Sequence, residues 1–578
     1  MRFVKNLDLL NNFLSIIVVL IVFIFPMKQK TSCAQENVLL VVNADAPDSM
    51  ALANHYQQLR NIPSNNVVYL PLGAMEVNEK DSGETTTSDE FRDKIYQPII
   101  ETIEQRGLDA QIDYITFSCS FPTRISCKPE LIKFQKATGT KYSIQNHAPG
   151  ISLTSAMFFG EGMFSDSPVI FDFHSNWYAN LKSNDSRAFS NQARYRSDGT
   201  TGDGGVRYRL STILAVNHPG GSSLAQAKKQ LTRSAEADGT QPKGIFYFAS
   251  NSDPRTTTRR NQFAGAAEAL KAMGHQAVID RFAMPKNQTV VGATLGAPKL
   301  EWKNSKSTFA KGAICDNFTS YGGYWRKTEQ THLTEFLNAG AAGAVGTMYE
   351  PYTFARKIPT AFSHVHYARG CTLADSIYQT VASPFQLVVV GDPICRPFAK
   401  TSPFEVAGIT DRSVVDGDLK LTMTPAADSK IDHFLLYVDG LLKQQVEPNQ
   451  AVQIANKDWA EGFHDVRCVA IDASVGRVRT SKSFGIYVRH GDNPIIPNLK
   501  VDAQSAKLSG EFVFRFPAGE AIQAQLWHNS RKLGTFAKDQ PLRIKADQLG
   551  VGTSKLVAIV RQRDVTTVTV PVEVTVKR

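Results

Sequence analysis

Cysteine is scarce in this chain. Seven cysteines occur in 578 residues, six of them after residue 34. Secreted domains too small for a large hydrophobic core use many disulfides instead, so this sparse set excludes a fold built on them. Cys119 and Cys127 are close enough in sequence to bridge a loop, although spacing alone does not establish a bond. No paired Cys-x-x-Cys or His-x-x-x-His spacing occurs, and we predict neither a metal nor a cofactor.

Strong charge of either sign is also missing. The formal net charge is +10, and residues 1–34 hold four bases and one acid, which leaves about +7 for the rest. No run of Lys and Arg with interleaved aromatic residues occurs, so a nucleic-acid surface is not supported. The hydrophobic fraction of 42% and the charged fraction of 20% are typical of folded soluble protein. A chain of this length exceeds one core, so three or four domains are expected.

The N-terminus carries an apolar run that is short for a membrane span. Arg2 and Lys5 precede the run over 13–25, and small residues at 32–34 precede Gln35. This pattern predicts a secretory signal peptide over 1–34, with no stable membrane insertion after its removal. We therefore expect a secreted, periplasmic or cell-surface protein. An uncleaved N-terminal membrane anchor is the alternative.

Short apolar runs that stop at Gly, Asp or Asn alternate with helix-like segments from residue 35 to 400. This alternation predicts an α/β fold with a doubly wound, mostly parallel sheet. We expect subdomains over 35–243 and 244–400, with a long insertion over about 128–205 that is a possible binding surface. The main predicted strands cover 37–43, 67–70, 112–118, 209–216, 244–249, 276–280, 289–295, 311–317, 341–347 and 387–393.

Polar residues follow several of these strands. In open α/β sheets ligands bind at the edge formed by the strand C-termini, so we expect Asp316, Glu350 and Asp392 to lie along that edge. Three carboxylates there would bind a cation or act as acid and base. The alternative is that they cap helices and order turns.

A second set of binding candidates comes from two other strand ends. Asp253 and Arg255 follow the strand over 244–249, where they would hold a ligand or else cap the next helix and pair with each other. Arg124 follows the strand over 112–118. Aromatic side chains near these loops would stack on sugar rings or fill the core: Trp177, Tyr178, Tyr195, Tyr321, Tyr324 and Trp325.

Beyond residue 403 the pattern changes to strict alternation without long helical stretches. The strand over 433–438 runs into Asp439-Gly440, a pair typical of a tight hairpin turn. The segments over 462–471 and 550–559 match each other at an offset of 88 residues. We predict two all-β, immunoglobulin-like sandwich domains over 404–490 and 491–578.

Several segments between residues 38 and 398 carry a resemblance to a known family: 38–49, Asp253-Pro254-Arg255, 312–323, 339–344, Glu350-Pro351 and 390–393. On these segments the chain resembles an uncharacterised family of exported bacterial proteins that co-occurs with the exosortase sorting system. The resemblance implies a fold and a cell-envelope setting, with exopolysaccharide or sorted surface proteins as partners.

The layout is more distantly similar to gingipain-type cysteine peptidases, relatives of the caspases. In those enzymes the catalytic His ends one strand in a His-Gly pair, the catalytic Cys ends the next, and Gly-Asp-Pro closes the domain. Here Gly391-Asp392-Pro393 fits the closing motif and Cys315 falls at the Cys position, but the strand before it ends at 295–298 without a histidine. A thiol needs a neighbouring base or cation to become a nucleophile. The alternative is that Cys315 is a small buried residue at a strand end.

Three hypotheses follow for the function. The first is an exported cell-envelope protein with a caspase-like core, non-catalytic, that acts in binding or assembly linked to surface-protein or exopolysaccharide export. The second is an active cysteine hydrolase that uses Cys315. The third is an adhesion or glycan-binding protein that works through its C-terminal β-sandwiches.

Overall fold

The computed structural model describes residues 35–578 with short gaps at 74–83, 140–149, 166–168, 173, 180, 182–183, 218–219, 350–353, 491–497, 517–521, 539 and 563–564. Within these ranges, no helix is both long and apolar enough to cross a lipid bilayer. The predicted signal peptide, 1–34, lies outside the described residues.

Residues 35–400 alternate strands and helices. The strands are β1 Val38–Asn43, β2 Val67–Leu70, β3 Thr85–Thr87, β4 Tyr114–Phe117, β5 Arg124–Ser126, β6 Gly150–Ser152, β7 Leu210–Ile213, β8 Ile245–Ala249, β9 Gln276–Asp280, β10 Thr289–Leu295, β11 Thr308–Asn317, β12 Gly343–Thr347 and β13 Leu387–Gly391. The helices are α1 Pro47–Arg60, α2 Ser88–Phe91, α3 Gln97–Gln105, α4 Lys128–Thr138, α5 Leu153–Phe159, α6 Leu224–Ala237, α7 Pro254–Thr257, α8 Phe263–Ala272, α9 Thr334–Asn338, α10 Ser363–Ala368 and α11 Leu373–Tyr378.

One ten-stranded sheet runs through both predicted subdomains, in the order β2-β1-β4-β7-β13-β12-β11-β10-β8-β9. Neighbours are parallel from β2 to β7 and again from β12 to β9. Every residue of β1 is buried, as expected for a strand covered on both faces. The prediction of a mostly parallel α/β sheet is confirmed.

The strand β13 breaks the predicted pattern. It runs antiparallel to β12, with Gly391 opposite Gly343, the first residue of β12. Asp316, the residue before the last of β11, instead pairs with Val345 in the middle of β12, to which β11 runs parallel. The prediction that Asp392 lies on the same edge as Asp316 is therefore wrong. An apolar run such as 387–390 predicts a buried strand but does not indicate whether that strand is parallel or antiparallel to its neighbour.

The insertion over 128–205 contributes buried rings. Tyr178 and Tyr195 are fully buried, and their rings meet edge to face at 5.1 Å. The ring of Phe158 in α5 stacks on Tyr208 at 4.4 Å. Core packing therefore accounts for these tyrosines, and they are unavailable as the exposed stacking surface considered above.

In the described residues from 404 onward, the regular elements are strands and short 3-10 turns. The strands are β14 Phe404–Ala407, β15 Val414–Val415, β16 Leu419–Pro425, β17 Ile431–Val438, β18 Leu441–Val446, β19 Ala451–Ile454, β20 Gly462–Asp472, β21 Arg479–Val488, β22 Lys500–Val501, β23 Ser505–Lys507, β24 Glu511–Arg515, β25 Ile522–His528, β26 Arg531–Thr535, β27 Leu542–Lys545, β28 Gly552–Gln562, β29 Val565–Val568 and β30 Val572–Lys577.

These strands form two β-sandwiches with separate cores. The sheet β14-β16-β19 packs in the first core and the sheet β22-β24-β27 in the second, each against part of an eleven-stranded sheet. The expected Asp439-Gly440 turn is present, with φ of 54° and 79°. An α/β core followed by β-sandwich domains is thus confirmed, while a specifically caspase-like core stays a prediction.

Both sandwiches dock on the α/β part beside its early elements. Gln111, just before β4, donates to the carbonyl of Gly440 at 2.6 Å. Arg479 of β21 lies 3.6 Å from the carboxylate of Asp113. From the second sandwich, the carbonyl of Leu549 accepts a hydrogen bond from Asn54 of α1 at 2.8 Å. The first sandwich therefore lies near the amino ends of β1 and β4, whereas the second packs along α1, where Arg578 pairs with Asp48 of the first turn.

Candidate functional site

Loops that follow β4, β11 and β12 meet at the opposite end of these strands. Arg124 comes from the first loop, Tyr324 from the second and Tyr349 from the third. The Arg124 guanidinium carbon lies 4.0 Å from the ring centroid of Tyr324 and 4.5 Å from that of Tyr349. Its Nη2 donates to the Tyr349 hydroxyl at 2.6 Å. We call these three residues, with Glu84 and Trp325, the rim cluster.

Local pairing fixes the position of Arg124. Its strand β5 lies between β3 and β6 in a small three-stranded sheet. The Arg124 amide donates to the carbonyl of Glu84 at 3.0 Å. The amide of Trp325 donates to the Glu84 carboxylate at 3.3 Å, which joins the loop after β11 to the same sheet. Glu84 thus connects Arg124 with the aromatic loop.

A glycine makes room for Tyr349. A Cβ atom on Gly150, the first residue of β6, would lie 2.0 Å from the Tyr349 ring. Any larger residue at this position would therefore displace the ring from Arg124. This close approach explains why position 150 requires glycine.

The Gly322-Gly323 pair has a related packing role. A Cβ on Gly346 of β12 would lie 2.7 Å from the backbone of Gly322 and Gly323. The Gly323 amide donates to the carbonyl of Thr347 at 2.9 Å. The loop that carries Tyr324 is therefore pressed directly against β12, which precedes Tyr349.

Arg124 is charged and only 8% exposed. Burial opposes the charge, but Tyr349, Tyr324 and Glu84 outweigh it, so the pKa of Arg124 is raised. Two buried donors of the cluster, Arg124 Nε and Trp325 Nε1, have no hydrogen-bond acceptor in the part of the chain that the structure describes. Buried polar groups are normally satisfied, so these donors favour a site for an oxygen-rich ligand.

Half-buried aromatic rings extend the cluster toward solvent. Tyr321, Tyr324 and Tyr349 are all partly exposed. The ring centroids of Tyr321 and Tyr324 are 6.1 Å apart, and Lys327 Nζ lies 5.8 Å from the Tyr321 centroid. This surface presents ring faces beside cationic groups.

Asp316 lies along the same edge but is already engaged. It forms an ion pair with the buried Arg259, which also donates to the carbonyl of Leu295. Burial raises the pKa of Asp316, and Arg259 opposes that shift. This pair ties the loop before α8 to the ends of β10 and β11.

Cys315 is buried in the middle of the sheet, opposite Ala293 and Ala344. Burial raises its pKa well above the ordinary value of a thiol, so the sulfur is held protonated. The buried His364 bonds Thr294 at 3.0 Å. Thr294 is the neighbour of Asp316, and successive residues of a strand face opposite sides. His364 therefore lies across the sheet from Cys315.

The remaining candidates have structural partners or lie outside the description. Asp253 caps α7 by accepting from the Arg255 amide at 2.9 Å, and its carboxylate pairs with the Arg255 side chain at 3.1 Å. The buried Asp392 accepts from Tyr56 at 2.8 Å and pairs with Arg60, which anchors β13 to α1. Glu350 lies outside the described residues.

The six cysteines after residue 34 are all buried and free. Cys119 and Cys127 therefore do not form the bridge that their spacing allowed. Burial raises the pKa of Cys119 to about 12, as expected for a thiol that packs as a small apolar group.

Sequence reasoning found Arg124 but missed two of its partners, Glu84 and Tyr349. Tyr349 directly precedes the Glu350-Pro351 pair and follows the end of β12 by two residues. That position after a strand was the available signal. Glu84 lies in a polar loop just before the short edge strand β3, and no hydrophobic periodicity in the sequence predicts that strand.

No protein-family model and no curated protein matches the chain. Among solved structures, it is similar to fibronectin(III)-like modules of Clostridium thermocellum CbhA, with 14% identity over 30% of this chain and 93% of that chain and a TM-score of 0.14. Dimeric latent PorU from Porphyromonas gingivalis matches with 10% identity over 30% and 20% of the two chains and a TM-score of 0.12. The Bacteroides ovatus glucan-locus protein SGBP-B matches with 8% identity over 31% of this chain and 48% of that chain, with a TM-score of 0.20. This chain thus spans half or less of the last two. TM-scores this low define no common fold, so the likeness to gingipain-type peptidases and the exosortase link stay predictions.

Proposed function

We propose that the protein is an exported cell-envelope binding protein whose ligand is exopolysaccharide and whose binding site is the rim cluster. The observation that carries the proposal is Arg124, held between the rings of Tyr324 and Tyr349 with an unsatisfied Nε donor. Partly exposed aromatic rings beside charged hydrogen-bonding groups suit sugars, which offer apolar ring faces and many oxygen acceptors.

A non-catalytic role is supported by the state of Cys315. Its thiol is buried and protonated, and the buried His364 lies on the other face of the sheet. Burial also lowers the pKa of His364 to about 3, so it is a weak base at neutral pH. A base and a nucleophile arranged in this way do not form a catalytic pair.

The direct test is affinity electrophoresis of residues 35–578 in gels that contain the exopolysaccharide of the producing bacterium. Wild-type protein is expected to be retarded. Tyr324→Ala removes one stacking face and is expected to weaken binding about tenfold, or about 1.4 kcal/mol. Arg124→Lys keeps the charge but loses the planar group between the rings, so it is expected to weaken binding similarly.

The matched control is Phe463→Ala, which removes a partly exposed ring from β20 in the first sandwich. It is expected to leave binding unchanged. Loss of binding in Phe463→Ala with full binding in Tyr324→Ala would overturn the rim proposal in favour of recognition by the sandwiches. Absence of retardation of the wild-type protein would overturn exopolysaccharide as the ligand.

A further inference from the structure

The tip of one hairpin joins the first sandwich to the α/β part. The hairpin connects β17 to β18, and Gly440 at its tip packs so closely on Pro63 that a Cβ would lie 2.8 Å from the proline Cβ. Gln111 clamps the tip from both sides, donating to the carbonyl of Gly440 at 2.6 Å and accepting from the amide of Leu442 at 2.9 Å. The side chain of Leu441 packs against the α/β core.

The conformation of this tip depends on Asp439. Its φ of 54° is in the left-handed region, which is uncommon for a residue other than glycine. The Asp439 carboxylate accepts from the Asp465 amide at 2.9 Å and from His464 Nδ1 at 2.7 Å. These two bonds from β20 hold the turn in the shape that Gln111 recognises.

His464 has an oxygen acceptor at each ring nitrogen. Nδ1 lies 2.7 Å from the Asp439 carboxylate, and Nε2 lies 2.8 Å from the carbonyl of Ala460. A carbonyl oxygen cannot donate, so only the doubly protonated imidazolium satisfies both contacts. In a neutral ring, one nitrogen lone pair would face an oxygen lone pair.

We propose that His464 is a pH-sensitive latch that fastens the first sandwich to the α/β part through the Asp439-Gly440 turn. Protonated His464 fixes Asp439, and Asp439 fixes the tip that Gln111 and Pro63 hold. Loss of the proton weakens the His464–Asp439 bond and releases the tip from the α/β core.

The groups around the ring favour the charged form. Burial opposes protonation, but Asp439 and the Ala460 carbonyl outweigh it, so the pKa of His464 is raised above its ordinary value. Lys443 of β18 acts in the opposite direction. Asp465 is the next residue on β20, and the ring of Trp459 meets the imidazole edge to face at 5.0 Å. A raised pKa means that the latch is fully closed below pH 6.5 and opens as pH rises through the raised value.

The test is hydrogen exchange of the hairpin amides between pH 5.5 and 9 in residues 35–578, corrected for base-catalysed intrinsic exchange. Protection of the Leu442 amide is expected to fall in a single step, by about tenfold for each unit by which closing the latch raises the pKa of His464. A flat corrected profile in the wild-type protein would overturn the proposal.

Two variants identify the titrating group. His464→Gln has no titrating ring, so its hairpin protection is expected to be low and free of the pH step. His433→Gln removes another histidine of the same sandwich. His433 lies near the start of β17, at the end of the strand far from the docked tip, and its Nδ1 is 3.0 Å from the Asp432 carboxylate. This control is expected to keep the wild-type step. A step that survives in His464→Gln or vanishes in His433→Gln would contradict the assignment to His464.

Discussion

Glu36 and Arg467 pair across the boundary between the α/β part and the first sandwich, 3.6 Å apart, with side chains only 0% and 4% exposed. Arg467 also pairs with Asp465 and donates to the carbonyl of Asn61, and Ser481 donates to Glu36. Charges buried this deeply need their partners, because an isolated buried charge costs several kcal/mol. The two parts are therefore expected to unfold as coupled units.

Arg467→Leu is expected to lower the free energy of unfolding by about 3 kcal/mol, because it leaves the Glu36 carboxylate buried without its counter-charge. Urea denaturation followed by intrinsic fluorescence measures the change. Arg412→Leu is the matched control, since Arg412 is 93% exposed beside Asp411. That control is expected to shift stability by under about 0.5 kcal/mol. Equal effects of the two substitutions would contradict a buried pair.

Cys315 is expected to resist alkylation in the folded protein. Burial and the raised pKa both suppress the thiolate that reacts with iodoacetamide. Mass spectrometry of tryptic peptides is expected to find Cys315 unmodified under native conditions. In about 6 M guanidinium, which unfolds ordinary domains, Cys315 is expected to be fully modified. Native labelling faster than that of a free thiol would revive the hydrolase hypothesis.

The free energy of unfolding is expected to fall as the pH rises from about 4 to about 7 because of Asp375, the buried carboxyl group that forms a capping box with Thr372 at the start of α11. Burial raises its pKa to about 6 against the opposing effect of Arg396. A carboxyl group with a raised folded pKa stabilises the protein below its unfolded pKa, and that contribution is lost as pH rises through the folded value. The loss amounts to about 3 kcal/mol.

Asp375→Asn is expected to remove this decline, because an amide does not titrate in that range. Thermal unfolding across the pH series provides the comparison. The exposed Asp428→Asn is the control and is expected to keep the wild-type slope. Parallel slopes in Asp375→Asn and wild type would assign the decline to other groups.

Gly346→Ala is expected to weaken exopolysaccharide binding without altering any residue of the rim cluster. The added methyl group would lie 2.7 Å from the backbone of Gly322 and Gly323 and push the Tyr324 loop away from β12. A stability loss of about 1–3 kcal/mol is expected as well. Gly417→Ala is the control, because no atom lies within 4 Å of its added methyl group. Binding equal to wild type in Gly346→Ala would contradict the packing role of the glycine.

The sequence predicted the strands well where burial alone determines them. The run over 37–43 became β1, and the run over 244–249 became β8. The direction of β13 was not predictable from the sequence, because its apolar side chains pack equally well in a parallel and an antiparallel strand. Only the hydrogen bonds to β12 show that it is antiparallel. Asp392 was consequently assigned to the wrong edge.

The candidate site was less accessible to sequence reasoning. Arg124 and Tyr349 are 225 residues apart, and no local pattern connects them. Asp253 and Arg255 followed the expected strand, but a two-residue separation lets them satisfy each other. The position of a polar residue after a strand therefore does not distinguish a ligand contact from a helix cap.

The first sandwich and the rim cluster lie at opposite ends of the strands, so the joint between the domains is separate from the loops of the rim cluster. Exchanges in the loops that bear Tyr324 and Tyr349 leave untouched the joints made by Arg467, Arg479 and Gln111. We expect such a scaffold to tolerate exchange of these loops while its multidomain assembly stays intact.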